Sequence, residues 1–594
     1  MILERLEKMA DRLRAAAGNS RLLTISAQSE ERNEIASARR GHLHRTVLRE
    51  SESGIFLRWF RMARDGIFSA SLRSAGFFLL VWGLTSVAVS LIRAPFDFWD
   101  SRFGVPIAVA ISALPLCFSG GSIAQGLTDD FLTGNFLVGF CRFSLSLFEV
   151  VPRAERTLRA LFAGFAIGVL SAFFHPVWFP TVLLSFLVLL IGFSVPEVTL
   201  IPIVLGFPFF GLLPHPSILL GCLSLFSMTC WIPKALSGHR QFRLMKIDLA
   251  IPLFAAILIA GGMVSAAGTD GTGPLLAVYL FAAWFPVRSW LTSAIWRART
   301  VSCLLFSGSI CAGIGILQYV LGYGETRWLD LSRFGDLGGR VGSTFENPNL
   351  LAIYLLIIFG ISLGILFSTS QMRWFALIPL SFSAVCLIFT WSRGAWLGAI
   401  AATCFFLAFH SRRTLAALLI SPLAIIGAIP WLPDGIRSRF ASIGNLAETS
   451  SRYRVNTWKG VLRLIRAHPW GIGSGEKTFH AVFPEFAVSG TEGVMHAHNV
   501  FFQIAVENGV ATSLLAIGFS MALFRRFFAT RIANSGFSDA APTLGCASVV
   551  LSLVVMGLFD HLWYQPTLFY LVCFVAALLT VQTEAAREGS IYGA

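Results

Sequence analysis

Long apolar runs separated by short polar and basic turns make up most of the chain from residue 73 onwards. A helix that crosses a membrane needs about 20 mostly apolar residues. Thirteen runs approach that pattern, at 75–91, 161–174, 177–193, 217–231, 248–266, 301–321, 350–367, 374–390, 395–409, 415–432, 510–527, 544–559 and 567–579. Three weaker runs, at 105–118, 200–213 and 273–285, are short or interrupted by Pro and Gly. The pattern predicts an all-α, polytopic transmembrane helix bundle of about 13–16 helices, with one large loop subdomain.

Composition agrees. The 594 residues are 55% hydrophobic and only 13% charged, about half the charge of a soluble domain, too little to solvate the surfaces of several domains. The net charge of +14 comes from basic residues lying mostly between the apolar runs rather than along one stripe, which excludes a nucleic-acid binder. Six basic segments (58–73, 153–159, 234–246, 288–299, 410–413 and 525–531) fall on one side when sixteen crossings are counted. The positive-inside rule makes that side the cytoplasm and sends both termini there. The expected location is a membrane whose basic side faces the cytoplasm. Ten cysteines lie in or beside apolar runs without CxxC or Cys/His spacing, so they read as small buried residues.

The N-terminus does not read as a signal peptide. Residues 1–17 suit a short amphipathic helix and 26–53 a disordered stretch. The expected organisation is a charged, partly disordered cytoplasmic segment (1–72), N-terminal transmembrane helices (73–338), a core (339–509) containing the loop 433–508, C-terminal transmembrane helices (510–582) and a cytoplasmic tail (583–594).

The loop after Pro433 faces the extracytoplasmic side in this topology and is long enough to be functional. Ser450 or Ser451 predicts the cap of a helix that runs past Trp458 and Leu462 to His468-Pro469, with a Gly-rich turn, Gly471–Gly475, following. Trp458, Trp470, Phe479, Phe483 and Phe486 predict a packed subdomain rather than disorder. The glycine turn is no nucleotide loop, because no Lys-Ser/Thr follows it.

Four segments carry candidate chemistry. In His496-Ala497-His498-Asn499 two imidazoles near a loop-to-helix junction can face one cavity, and Asn499 suits a sugar hydroxyl or a helix cap. An interfacial turn with solvated histidines is the alternative. The loop's acids are too scattered to complete a zinc set, whereas a neutral His suits general-base work. In Trp391-Ser392-Arg393-Gly394 an Arg stands at a membrane boundary where the positive-inside rule disfavours it; it is either a snorkelling anchor or an anion site. Arg452 and Arg454 begin the loop helix, Arg454 sharing a face with Trp458 and Leu462. The segment Gly339–Asn349 holds Arg340, Glu346 and the capping candidates Asn347 and Asn349.

In order, "GSTFENPNLLA", "WSRGAWLG", the R-x-x-x-W of Arg454 and Trp458 running on to "HPWGIGSG", and "HAHNVFFQIAVENG" resemble the O-antigen ligase / O-antigen polymerase family over roughly residues 339–509. The resemblance implies a GT-C-like bundle and an inverting, metal-independent glycosyltransferase without cofactor. Its donor would be a polyprenyl-pyrophosphate-linked glycan, and its acceptor a glycan, lipid or wall polymer. It further implies that Arg393 and Arg454 bind pyrophosphate and that His498 is the base, with His496 a less certain partner. The long charged N-terminus and the larger helix number depart from the family. A lipid-linked oligosaccharide flippase or transporter is the competing expectation. It would not require a packed outer loop with His and Arg, and no repeat relates the halves.

Overall fold

The computed structural model describes residues 62–121, 157–173, 178–236, 244–266, 272–323, 339–416, 449–533, 541–561 and 566–592, apart from 64, 68, 98, 99, 371, 372 and 412, together with single positions between 417 and 448. The expectations for residues 1–17 and 26–53, and most of the run 415–432, lie outside them. All regular elements among the described residues are helical. The chain is a polytopic helical bundle. Among the described residues seven helices are long and apolar enough to cross a membrane, and seven shorter apolar helices accompany them.

The chain divides into two compact units, with the boundary after Val198. The N-terminal unit holds α1 (Leu72–Arg93), α2 (Ser101–Cys117), α3 (Thr157–Phe173) and α4 (Trp178–Ser194), with α1 meeting α2 and α3 through small residues. A β-carbon on Gly83 would lie 2.6 Å from the Pro106 carbonyl oxygen, and one on Gly164 the same distance from that of Phe78. Inside this unit the Trp82 indole donates to Ser171 Oγ at 2.9 Å, which satisfies a polar group that lipid cannot.

The second unit carries α5 (Leu200–Gly206), α6 (Pro216–Leu236), α7 (Ala250–Met263), α8 (Thr272–Trp290), α9 (Ala294–Val320), α10 (Pro348–Leu366), α11 (Leu377–Phe389) and α12 (Arg393–His410). After the loop come α13 (Thr449–Ala467), α14 (Glu476–Val482), α15 (Val500–Asn508), α16 (Val510–Ala533), α17 (Ala541–Gly557) and α18 (Pro566–Tyr592). The weak run 200–213 is α5 continued by a tighter 3₁₀ turn through Phe207-Pro208, as expected where proline removes a donor. The weak run 273–285 is the fully formed α8, buried along most of its length.

Glycines set the helix spacing that positions the site. A β-carbon on Gly545 of α17 would stand 2.7 Å from the Gly364 Cα of α10, and one on Gly398 of α12 2.9 Å from the Ser552 carbonyl oxygen of α17. Both helices therefore meet α17 at near backbone contact, and the chain just beyond α17 sits beside their ends. At the far end of α7, Asp248 accepts from the Trp284 indole at 2.8 Å. It also pairs with the buried Arg288, which reaches Glu584 at 3.1 Å. One ionic node ties α7, α8 and α18 together.

The described residues of the loop pack around a core of their own. Val461, Leu464, Ile472, Phe479, Phe483, Val494, Ala497 and Val506 form that core, with Phe486 packed against it. Trp470, expected within that core, is instead 86% exposed. The glycine turn mounts the subdomain on the bundle. Ile472 and Gly473 N–H donate to the Val506 and Glu507 carbonyls at 2.8 and 3.0 Å, Ser474 N–H to the Gly261 carbonyl of α7 at 3.0 Å, and Ala266 N–H to the Ile472 carbonyl at 3.0 Å. The sequence Gly471-Ile472-Gly473-Ser474-Gly475 is thus a backbone junction, and side chains would prevent it from closing.

Candidate functional site

Residues Met495–Asn499 connect the loop core to α15. Asn499 is the cap of α15: its Oδ1 accepts from Phe501 and Phe502 N–H at 2.9 and 3.0 Å, the expected role of Asn at that position. Its Nδ2 donates to the Leu558 carbonyl at 3.1 Å, just past α17. Between the two histidines, Ala497 is fully buried and held from both sides. Its N–H donates to Gln503 Oε1 at 2.7 Å, and its carbonyl accepts from the Trp458 indole at 3.0 Å. Gln503 in turn donates to Glu507 Oε1 at 2.8 Å. The pattern His-Ala-His-Asn-Val-Phe-Phe-Gln-x-x-x-Glu is a scaffold that fixes two imidazoles.

His498 takes a left-handed backbone conformation, φ +48, a strained state for a residue with a β-carbon. Its Nδ1 lies 3.7 Å from Asp560 Oδ1, and its N–H donates to His496 Nδ1 at 3.3 Å. The His496 ring is 4.1 Å between centroids from that of His498 and 4.0 Å from that of His561. Three imidazoles and one carboxylate therefore share one pocket at the end of α17.

The electrostatics separate these groups. Burial lowers the proton affinity of His496 far below the ordinary imidazole range, and the neighbouring His561, His498 and Arg454 push the same way against Asp560. Burial likewise takes His561 down to about 3. Burial alone would raise the Asp560 carboxyl, but His498, His496 and Arg454 outweigh it and hold the carboxyl well below the usual carboxylate range. The pocket thus carries a fixed anion beside His496 and His561, two imidazoles that resist protonation. Arg454, one α13 turn before Trp458, supplies a positive field to it.

Arg393 opens α12, half-buried, after the buried Ser392. Trp391 before it has φ +53, and its buried indole N–H meets no acceptor among the described residues. A β-carbon on Gly394 would lie 2.9 Å from Met556 Sδ and 3.1 Å from Phe559 Cβ. The Arg393 turn, the His-x-His loop and the Asp560-His561 pair accordingly converge on residues 556–561. Buried Arg340 is committed elsewhere: it donates to the Thr390 carbonyl at 2.7 Å and to Asn349 Oδ1 at 2.8 Å, bracing the turn that presents Arg393. Arg452 is exposed on α13. Among the described residues, four of the five non-glycine positions with positive φ, namely Ser343, Glu346, Trp391 and His498, fall in the motif turns, where such strain tends to accompany function.

Asp560 and His561 were not among the residues singled out in the sequence. The available signal was an adjacent acid and imidazole ending an otherwise apolar run, which at a membrane boundary is a functional candidate. His496, His498 and Asp560 also place ligand atoms within 4.8 Å of one another, a composition able to hold a metal ion.

The O-Antigen ligase family matches residues 378–517. That segment is similar to the O-antigen ligase family. The match covers about a quarter of the chain and includes Arg393, Arg454, His496, His498 and Asn499, but stops before Asp560 and His561. No curated protein matches. The apolar helices, with this match, make the protein a multi-pass membrane protein, and the match supports glycosyl transfer of the O-antigen ligase or polymerase type in general.

Proposed function

We propose that the protein transfers a glycan from a polyprenyl-pyrophosphate carrier to an acceptor hydroxyl at the extracytoplasmic face of a bacterial inner membrane, with inversion and without a metal. The 3.7 Å approach of Asp560 to His498 Nδ1 carries this reading. An anion beside Nδ1 favours the tautomer protonated there and leaves Nε2 as the free base. His498 Nε2 takes the proton of the acceptor hydroxyl as its oxygen attacks the anomeric carbon. The bond from that carbon to the pyrophosphate oxygen breaks, and its electron pair leaves with the carrier. Arg393 and Arg454 meet the charge that develops on the pyrophosphate, and planar guanidinium groups suit phosphate oxygens. The leaving group is already anionic and stable, so no strong general acid is needed. Attack opposite the leaving group in a single displacement gives inversion.

The rival metal reading rests on the His496, His498 and Asp560 cluster. Two features favour the base instead. Arg454 already acts on His496 and Asp560 as a cation, which disfavours a second positive charge, and His496 Nδ1 is occupied by the His498 N–H. Asn499 and Arg340 act in this scheme as positioning residues rather than as substrate ligands.

The test is His498→Ala in the purified protein with lipid-linked donor. A transferase keeps donor binding and loses transfer by about 10²-fold or more. A transporter that needs no base keeps its activity, and unchanged glycan attachment would overturn the reading.

A further inference from the structure

The loop helix α13 carries Arg452, Arg454, Lys459, Arg463 and Arg466 and no acidic residue. At about 100° per residue, Arg452, Lys459, Arg463 and Arg466 fall within an arc of roughly 60°, and all four are exposed. Arg454 lies well outside that arc and acts on the His496 and Asp560 pocket. The opposite side of α13, with Val461 and Leu464, is buried in the loop core. Among the described residues no carboxylate pairs with any of the four stripe cations.

A solvated basic helix would have a polar surround. This one is bordered by Leu462, 41% exposed, and is followed by Trp470, 86% exposed. It also ends where a spanning helix begins. Val510 N–H, the first of α16, donates to the Pro469 carbonyl at 3.0 Å, and a β-carbon on Gly509 would lie 2.9 Å from the Trp470 carbonyl oxygen. Basic residues together with exposed Trp and Leu, at the boundary of a spanning helix, are what a helix lying in the headgroup layer presents.

We propose that the outward face of α13 docks on the phosphate headgroups of anionic phospholipids in the adjoining leaflet, with Trp470 seated in the interface. The charge complementarity is one-sided: four cations and no acid on one helix face match a surface of monoanionic phosphates. Docking would hold α13 parallel to the membrane and fix the level at which Arg454, on its other side, meets a carrier pyrophosphate. The headgroup contact does not depend on the transfer reaction.

The experiment uses the full chain in nanodiscs of phosphatidylcholine mixed with phosphatidylglycerol. The protein-associated fractions of spin-labelled phosphatidylglycerol and spin-labelled phosphatidylcholine are compared. Wild type should prefer phosphatidylglycerol, and replacing Arg452, Lys459, Arg463 and Arg466 together by Gln should lower that preference by about fivefold or more, since one cation near such a surface contributes about that factor. High salt should reproduce the loss in wild type. Substituting Lys at the three Arg positions should retain the preference, which separates charge from misfolding. His498→Ala should also retain it, so failure of the proposed transfer and failure of docking are read separately. An unchanged preference in the Gln variant overturns the proposal. So does a Gln variant that keeps the lipid preference and loses binding of a soluble phosphorylated oligosaccharide, which would assign the stripe to a glycan.

Discussion

His498 and Asp560 come together from separate elements, the loop before α15 and the chain after α17, with Nδ1 and Oδ1 3.7 Å apart. The Asn499 bond to the Leu558 carbonyl stitches the same two segments and holds them in register. Asp560→Asn preserves the size of the side chain but removes the anion and allows the amide to donate, which favours the wrong His498 tautomer. The expected outcome is a fall in kcat of about 10²-fold or more with the donor Kd little changed. Steady-state transfer and direct donor binding check it; equal losses in both would make Asp560 a binding rather than a positioning residue.

Acid should weaken the protein through its buried imidazoles. His561 is held at about 3 against an ordinary 6.5, and His496 is lowered in the same direction. Between those pH values the unfolded chain takes up protons that the folded chain refuses. For His561 the stabilisation is complete above pH 6.5 and is lost as pH falls towards 3, at about 1.4 kcal/mol per unit, and His496 acts in the same direction. Asp560, held low, adds a loss at the acid end of that range. Thermal unfolding in detergent between pH 7 and pH 4 should show a falling Tm, and His561→Phe should flatten the slope. A variant with the wild-type slope would remove His561 from this role.

The glycine junction offers a test of how the outer subdomain is mounted. Gly473 has φ +98, and a β-carbon there would lie 2.3 Å from Ser265 Cα. Gly473→Ala therefore combines a strained backbone with a backbone collision and should cost about 2 kcal/mol or more. It should also raise proteolysis within residues 449–508 before the spanning helices unfold. Gly493 has nothing within 4 Å of a β-carbon and a φ outside the left-handed region, so Gly493→Ala is the matched control and should be nearly neutral.

Much of this architecture is legible in the sequence because lipid imposes one rule on every crossing: satisfy the backbone internally and face outwards with apolar side chains. The same rule explains why α8 reads weakly. It is buried by protein, so Pro286 and Arg288 interrupt a run that does not need to be continuous. The His-x-His motif is legible, but its scaffold less so, because the Gln503 and Trp458 bonds to Ala497 use side chains that also read as ordinary helix residues. Asn499 fits both a cap and a sugar ligand in sequence, and only the α15 geometry assigns its oxygen to the cap. Asp560 becomes visible only when α12 and α10 pack on α17, and that packing depends on glycines whose role no local pattern states.

Removing metal separates the two chemistries available to the pocket. His496, His498 and Asp560 are close enough to bind an ion, and a zinc site with such ligands would lose its activity to a strong chelator. In the proposed base mechanism the anion at Asp560 and the cation at Arg454 leave no charge for a metal to supply. Prolonged incubation with EDTA, followed by elemental analysis, should yield protein with less than stoichiometric metal and an undiminished transfer rate. Adding zinc should inhibit rather than activate, because coordination would take the His498 lone pair that accepts the acceptor proton. Restoration of a lost rate by zinc would instead make His496, His498 and Asp560 ligands, and His498→Ala would then abolish metal binding together with transfer.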